Sequence, residues 1–181
     1  MKMGRAYLSP MKSRIALALL LFATPAVAER LEFDHRLSPP LQAVLDGGDT
    51  TMIESDSRSP TRHVDLIAVR GRSAQSWTEA LEILSIARPR DIKDVEGWLA
   101  LLQSQAQSRC AATFEVIARD ANSVTFQRTS PHCPAERATF GLYRLVTGKR
   151  SWFQLSVLVR DDLSETARQQ WLALFASAHL K

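Results

Sequence analysis

From residue 111 onward, apolar and polar positions alternate with a period of two. ATFEVIAR sets Phe114 and Val116 against Thr113 and Glu115, and SVTFQRT sets Val124 and Phe126 against Thr125 and Gln127. ATFGLYRLV continues the pattern, and SWFQLSVLVR places Phe153, Leu155, Val157 and Val159 opposite Trp152, Gln154, Ser156 and Leu158. Successive side chains of an extended chain point to opposite faces, so each run predicts a strand with one apolar and one mixed face. Asp120-Ala121-Asn122-Ser123 and Thr147-Gly148-Lys149 carry turn chemistry. Four strands with short turns predict an antiparallel meander. On either side the period lengthens. Val95, Trp98, Leu99, Leu102 and Ala106 recur at three- and four-residue spacing, which predicts a helix over 91–109, with Asp91 as its cap and Asp94 adding negative charge to the first turn. Ala167, Trp171, Leu174, Phe175 and Ala178 predict a C-terminal helix, with Asp162 as N-cap and Glu165 three residues on.

Nearer the N-terminus the pattern is less decisive. HVDLIAVR, residues 63–70, reads as a strand closed by the turn at Gly71. Residues 78–87 support two readings. TEALEIL has high helix propensity, and Trp77, Ala80, Leu81 and Leu84 fit a helical face; a strand would instead put Leu81 and Ile83 on one face and form a hairpin with 63–70. The local pattern alone favours the helix. Leu31–Leu37 reads as a short strand stopped by Pro39-Pro40, residues 40–45 as one helical turn ended by Gly47-Gly48, and Thr50–Glu54 as an edge strand. The stretch 38–62, rich in Pro, Ser, Asp and Gly, reads as a loosely structured lead-in. The fold class that follows is α+β: an antiparallel meander sheet flanked by two helices, each with a tryptophan in its apolar stripe. The expected organisation is a leader over 1–28, an irregular N-terminal lead-in over 29–62 and a single α+β domain over 63–181.

The leader reading rests on MKMGRAYLSPMKSRIALALLLFATPAVAER. Lys12 and Arg14 precede a short apolar core at Ile15–Ala23, and Ala26-Val27-Ala28 is a small-x-small cleavage site. That layout predicts a cleavable export signal and a periplasmic, secreted product. The signal is complete from Met11, so translation starting at Met1 and at Met11 would serve equally. The apolar run is shorter than the roughly 20 residues of a membrane span, no other long apolar run follows, and no stable membrane insertion is expected once the signal is gone. Its removal also changes the charge. The chain has 23 Lys+Arg and 19 Asp+Glu, and Lys2, Arg5, Lys12 and Arg14 all lie in the leader with no acid beside them. The remainder is balanced at nineteen of each sign. A nucleic-acid partner, which needs a net cationic surface to displace phosphate counterions, is not expected.

Two cysteines remain, Cys110 and Cys133. An even count in an exported chain favours a bridge. Cys110 closes the predicted helix and Cys133 closes a hairpin that brings the chain back between them. The competing reading takes SPHCPAE as a thiol nucleophile beside His132. Adjacent residues of an extended segment face opposite ways, which places His132 poorly for that role. The chain has four histidines with no pair at HxxxH spacing, and no CxxC, so neither a metal nor another cofactor is expected.

Trp77-Thr78-Glu79, the helix ending at Cys110, the hairpin to Cys133-Pro134, the Gly148 turn and the Trp171 helix together resemble a group of small exported proteobacterial proteins with a PsbP/Mog1-like fold. The likeness covers 63–180. It implies a strand at 78–87 paired with 63–70, against the local helical preference. It implies no catalytic residues and no activity.

No GxSxG, HExxH or SxxK motif occurs after residue 28, Gly47-Gly48 is too short to cradle a phosphate, and Asp161-Asp162 reads as helix-start capping. A binding role is therefore expected ahead of catalysis: an exported accessory protein that binds a protein partner or a small ligand in the periplasm. The alternative is a periplasmic inhibitor or immunity-type protein that neutralises a toxin or cell-wall enzyme. The expected site is the exposed sheet face or a cleft between helix and sheet, with Trp152, Gln154, Arg144 and Gln127 as surface contributors.

Overall fold

The computed structural model describes residues 29–47, 52–71, 76–134 and 137–181. The expected leader with its Ala26-Val27-Ala28 site lies outside them, as do Gly48 and Thr50-Thr51.

Seven strands form one antiparallel sheet: β2 (Met52–Ser59), β3 (Arg62–Arg70), β4 (Glu79–Ala87), β5 (Thr113–Asp120), β6 (Ser123–Thr129), β7 (Phe140–Thr147) and β8 (Ser151–Val159). Their order is β2-β3-β4-β8-β7-β6-β5. The sheet is thus two meanders joined at its centre, where Glu79 to Ala87 of β4 pair in unbroken register with Val159 to Ser151 of β8. Helix α2 (Val95–Gln107) carries the chain from β4 across one face to the far edge. Helices α1 (Pro39–Asp46) and α3 (Glu165–Ser177) lie on the other face, and β1 (Leu31–Glu32) pairs with β9 (His179–Leu180) in a small ribbon. The fold class is α+β, as expected, with three α-helices among the described residues.

The ambiguity at 78–87 resolves to a strand. β4 is central, and both of its faces are covered: Leu81 joins the core under α3, while Ala80 packs with Trp77 and Ala138 on the opposite side. A strand buried on both faces loses the polar half of its alternation and imitates a helical stripe. The lead-in is also more ordered than its composition predicts. Leu41 of α1 is buried in the main core, and β2 pairs with Arg62 to Ile67 of β3 as an edge strand, longer than the expected 50–54. Only Leu31–Glu32 of the expected 31–37 strand is paired as a strand; His35–Leu37 is a 3-10 turn whose start is capped by Asp34.

Both long helices begin later than expected. Asp94, not Asp91, caps α2, its carboxylate accepting from the Gly97 amide at 2.9 Å. Ser164, not Asp162, caps α3, its hydroxyl accepting from the Ala167 amide at 3.2 Å. In each case the cap is the residue three before a free first-turn amide. Apolar packing fixes the rest. Under α3, Trp171, Leu174 and Phe175 meet Leu81, Leu142, Leu155 and Val157. Under α2, Val95, Trp98 and Leu99 meet Val124, Phe126, Leu145 and Trp152.

The Trp77-Thr78-Glu79 segment has a structural job. The Glu79 carboxylate is 4% exposed, accepts from Trp171 Nε1 at 2.6 Å and meets Arg70 Nε at 3.2 Å, so it fastens α3 to the sheet. Trp77 is covered by the Arg160 guanidinium, 3.8 Å from its ring centre.

Candidate functional site

The four expected surface residues do not form one surface. Directly paired residues of an antiparallel ladder share a face. Arg144 pairs with Leu155 and Gln127 with Leu142, which puts both on the α3 side; Trp152 and Gln154 lie on the α2 side. Trp152 is 1% exposed, packed 5.2 Å from the Trp98 ring, and is therefore core and not surface. Arg144 is half-buried and donates to Thr125 Oγ1 at 3.0 Å; desolvation lowers its pKa, with the Asp120 charge opposing. Gln127 bridges Glu115 and Arg168. Of the four, Trp152 forms part of the wall of a smaller concave site, and Gln154 lines the larger one.

That site is a cleft of about 550 Å³ on the α2 face, where the helix leaves part of the sheet uncovered. The register defines its floor. Glu82 of β4 pairs with Ser156 of β8, Ser156 with Tyr143 of β7, and Tyr143 with Phe126 of β6, a row of four neighbours across the sheet. The walls are the second half of α2 (Leu102, Gln105, Ala106), Trp77 and the disulfide segment.

The floor has two halves. On β6 and β7, Phe126 and Tyr143 stack with centroids 4.8 Å apart and planes 6° from parallel, and Arg128 sits 5.7 Å from the Tyr143 ring centre. Gly141 makes room for this: a Cβ there would lie 2.7 Å from Tyr143 Cε2. Burial, reinforced by Glu82 and opposed by Arg128, pushes the Tyr143 hydroxyl up to about 12, so it stays a neutral phenol. On β4 and β8, Gln154 Nε2 donates to Glu82 Oε1 and to Ser156 Oγ, both at 2.8 Å, and Ser156 Oγ donates to Glu82 Oε1 at 3.2 Å. Gln154 Oε1 is buried with no partner, and so is Ser130 Oγ at the cleft's other side.

Cys110 and Cys133 are joined, with Cα atoms 5.8 Å apart, and both line the cleft. Neither is a free thiol, which removes the nucleophile reading of SPHCPAE. The bridge ties the end of α2 to the β6–β7 connection and so fixes the width of the opening. Arg109 and Arg137 flank it. No group of three metal-ligating side chains occurs among the described residues, and no helix among them is long and apolar enough to cross a membrane.

A second concavity, of about 400 Å³, lies at the other end of the strands, by the Gly148 turn. One of its lining side chains is fully engaged within the chain. The Glu29 carboxylate accepts from the backbone amides of Lys149, Arg150 and Ser151 at 2.8, 2.9 and 2.8 Å. Burial alone would raise its pKa; the three amides and the Arg150 charge together outweigh that and hold it below the ordinary carboxylate range.

The sequence reading missed Glu82, Tyr143, Arg128, Arg109 and Arg137. One signal was available: Glu82 is a lone acid inside the apolar run ALEILSI, and an acid in a central strand needs a partner. Compared with protein-family models, with curated proteins and with solved structures, the chain matches none.

Proposed function

We propose that the protein is an exported, non-enzymatic binding protein whose ligand is a small molecule held in the cleft between α2 and the sheet. The observation that carries this reading is Gln154 Oε1, a buried acceptor with no protein partner, beside a floor of aromatic rings and an ordered Glu82–Ser156 pair. A buried polar atom left unpaired costs about 1–3 kcal/mol, and an arriving donor recovers it. The volume falls within the roughly 300–1,000 Å³ of small-molecule sites. The Cys110–Cys133 bridge supports an oxidising compartment, which accords with a periplasmic address and removal of residues 1–28. The PsbP/Mog1-like assignment is part of the same proposal; it calls for an antiparallel sheet flanked by helices.

The test is native mass spectrometry of the protein purified from the periplasm. The wild type should retain a small molecule that Ala106→Trp, which fills the cleft from α2, loses at unchanged melting temperature. Capture of a protein partner equally by both forms, with no small molecule in either, would replace this reading with the inhibitor or immunity-type one.

A further inference from the structure

The polar half of the cleft floor is built wholly of acceptors. The Gln154 amide cannot be turned over, because its Nε2 donates to both Glu82 Oε1 and Ser156 Oγ, and the reversed amide would set an oxygen against the carboxylate. The Ser156 proton is spent on Glu82. The cleft-lining residues Gln154 and Glu82 thus leave a buried amide oxygen without a partner and a carboxylate, which together call for a donor, best a positively charged one. The rim has the opposite character. Arg109 and Arg137 are exposed, and neither pairs with a carboxylate among the described residues. The stacked Phe126 and Tyr143 rings lie on the same floor, beside the acceptor half. A ligand matching all three has an ammonium at one end, an apolar body and a carboxylate at the other.

We propose that the cleft takes a free amino acid or short peptide with an apolar or aromatic side chain, its amino end against Glu82 and Gln154 and its carboxylate toward Arg109 and Arg137. This rests on the ligand-binding reading of the cleft given above.

Three probes separate the parts: the dipeptide Gly-Phe, its N-acetyl form without the ammonium, and its C-terminal amide without the carboxylate. Binding to the oxidised protein is followed by NMR shifts of the indole of Trp77 and the amides of β8. Gly-Phe should bind about tenfold more tightly than either blocked form. Gln154→Leu should weaken Gly-Phe about tenfold while leaving the N-acetyl form unchanged. Arg137→Gln, on the exposed rim where folding is not at stake, should weaken Gly-Phe and the N-acetyl form but not the amide. Equal binding of all three probes, or tighter binding of a blocked one, overturns the assignment of ligand chemistry while a filled cleft remains. Absence of any shift with Gly-Phe at millimolar concentration also overturns it. In that case the mass-spectrometric experiment decides separately whether the cleft holds anything.

Discussion

The two faces of the sheet are closed by different means. The α3 face is sealed by side chains alone: Trp171, Leu174 and Phe175 are each at most 1% exposed, and they meet Leu142, Leu155 and Val157, all at 0%. The α2 face has a comparable core at one end, around Trp98 and Trp152, but gives way to stacked rings, an acid, an amide and a hollow at the other. There the helix is held not by more apolar contact but by the Cys110–Cys133 bridge. The difference separates stability from recognition: one side spends its residues on filling space, and the other holds space open and staples its edge.

Several changes would break or sharpen this contrast. The largest effect is expected on the sealed face. Phe175→Ala should cost about 3–5 kcal/mol in urea unfolding, the range for truncating a buried aromatic, and should leave the affinity of the remaining folded protein for Gly-Phe unchanged. A cost below about 1 kcal/mol would show that this face is not the tight core described. Replacing both cysteines by serine should cost about 3 kcal/mol by the loop-entropy estimate and, unlike Phe175→Ala, should also weaken cleft binding, because the segment bearing Arg137 is released.

Alkaline pH probes the cleft floor. In protein prepared without residues 1–28, which hold Tyr7, Tyr143 is the only tyrosine, so absorbance reports it alone. Its folded pKa of about 12 lies above the ordinary 10.0, so between these values the folded state keeps a proton that the unfolded chain has lost. Stability should therefore be intact below pH 10 and fall as pH rises toward 12, by about 2–3 kcal/mol at most, and Tyr143→Phe should abolish that dependence. Urea midpoints across the range measure it. The smallest effect is at the other end of the strands. Glu29→Gln should cost about 1 kcal/mol near neutral pH. Because the Glu29 carboxyl is held low, that contribution is present above the ordinary carboxylate range and disappears as pH falls through its depressed value. The variant and wild type should converge in acid.

How much of this the chain discloses depends on the range of the forces involved. The meander at 113–159 was legible because alternation is local: β5 to β8 fall where the period-two runs predict them. The strand at 79–87 was not, because its pattern reflects burial on both faces, which only the distant β8 and the helices impose. Capping was misplaced by two or three residues, since Asp91 and Asp162 have the right chemistry but the amides that need a partner belong to Gly97 and Ala167. The disulfide was recoverable from parity and compartment. The cleft was not, because Glu82 and Gln154 are 72 residues apart and become neighbours only through the central ladder. Alternation correctly placed Trp152 and Gln154 on one face; it could not say that α2 would cover the first and stop short of the second.

The Glu29 contact has a further consequence. Arg30 and Lys181 are joined by two backbone hydrogen bonds, and Glu29 is seated on the Gly148 turn, while the disulfide segment joins β6 to β7 at the opposite end of the strands. Arg30 and Lys181 therefore lie side by side, at the end of the strands away from the hollow. A tether joined at either of these two points, to a bead, a neighbouring domain or a lipid surface, would sit at the end of the strands opposite the mouth.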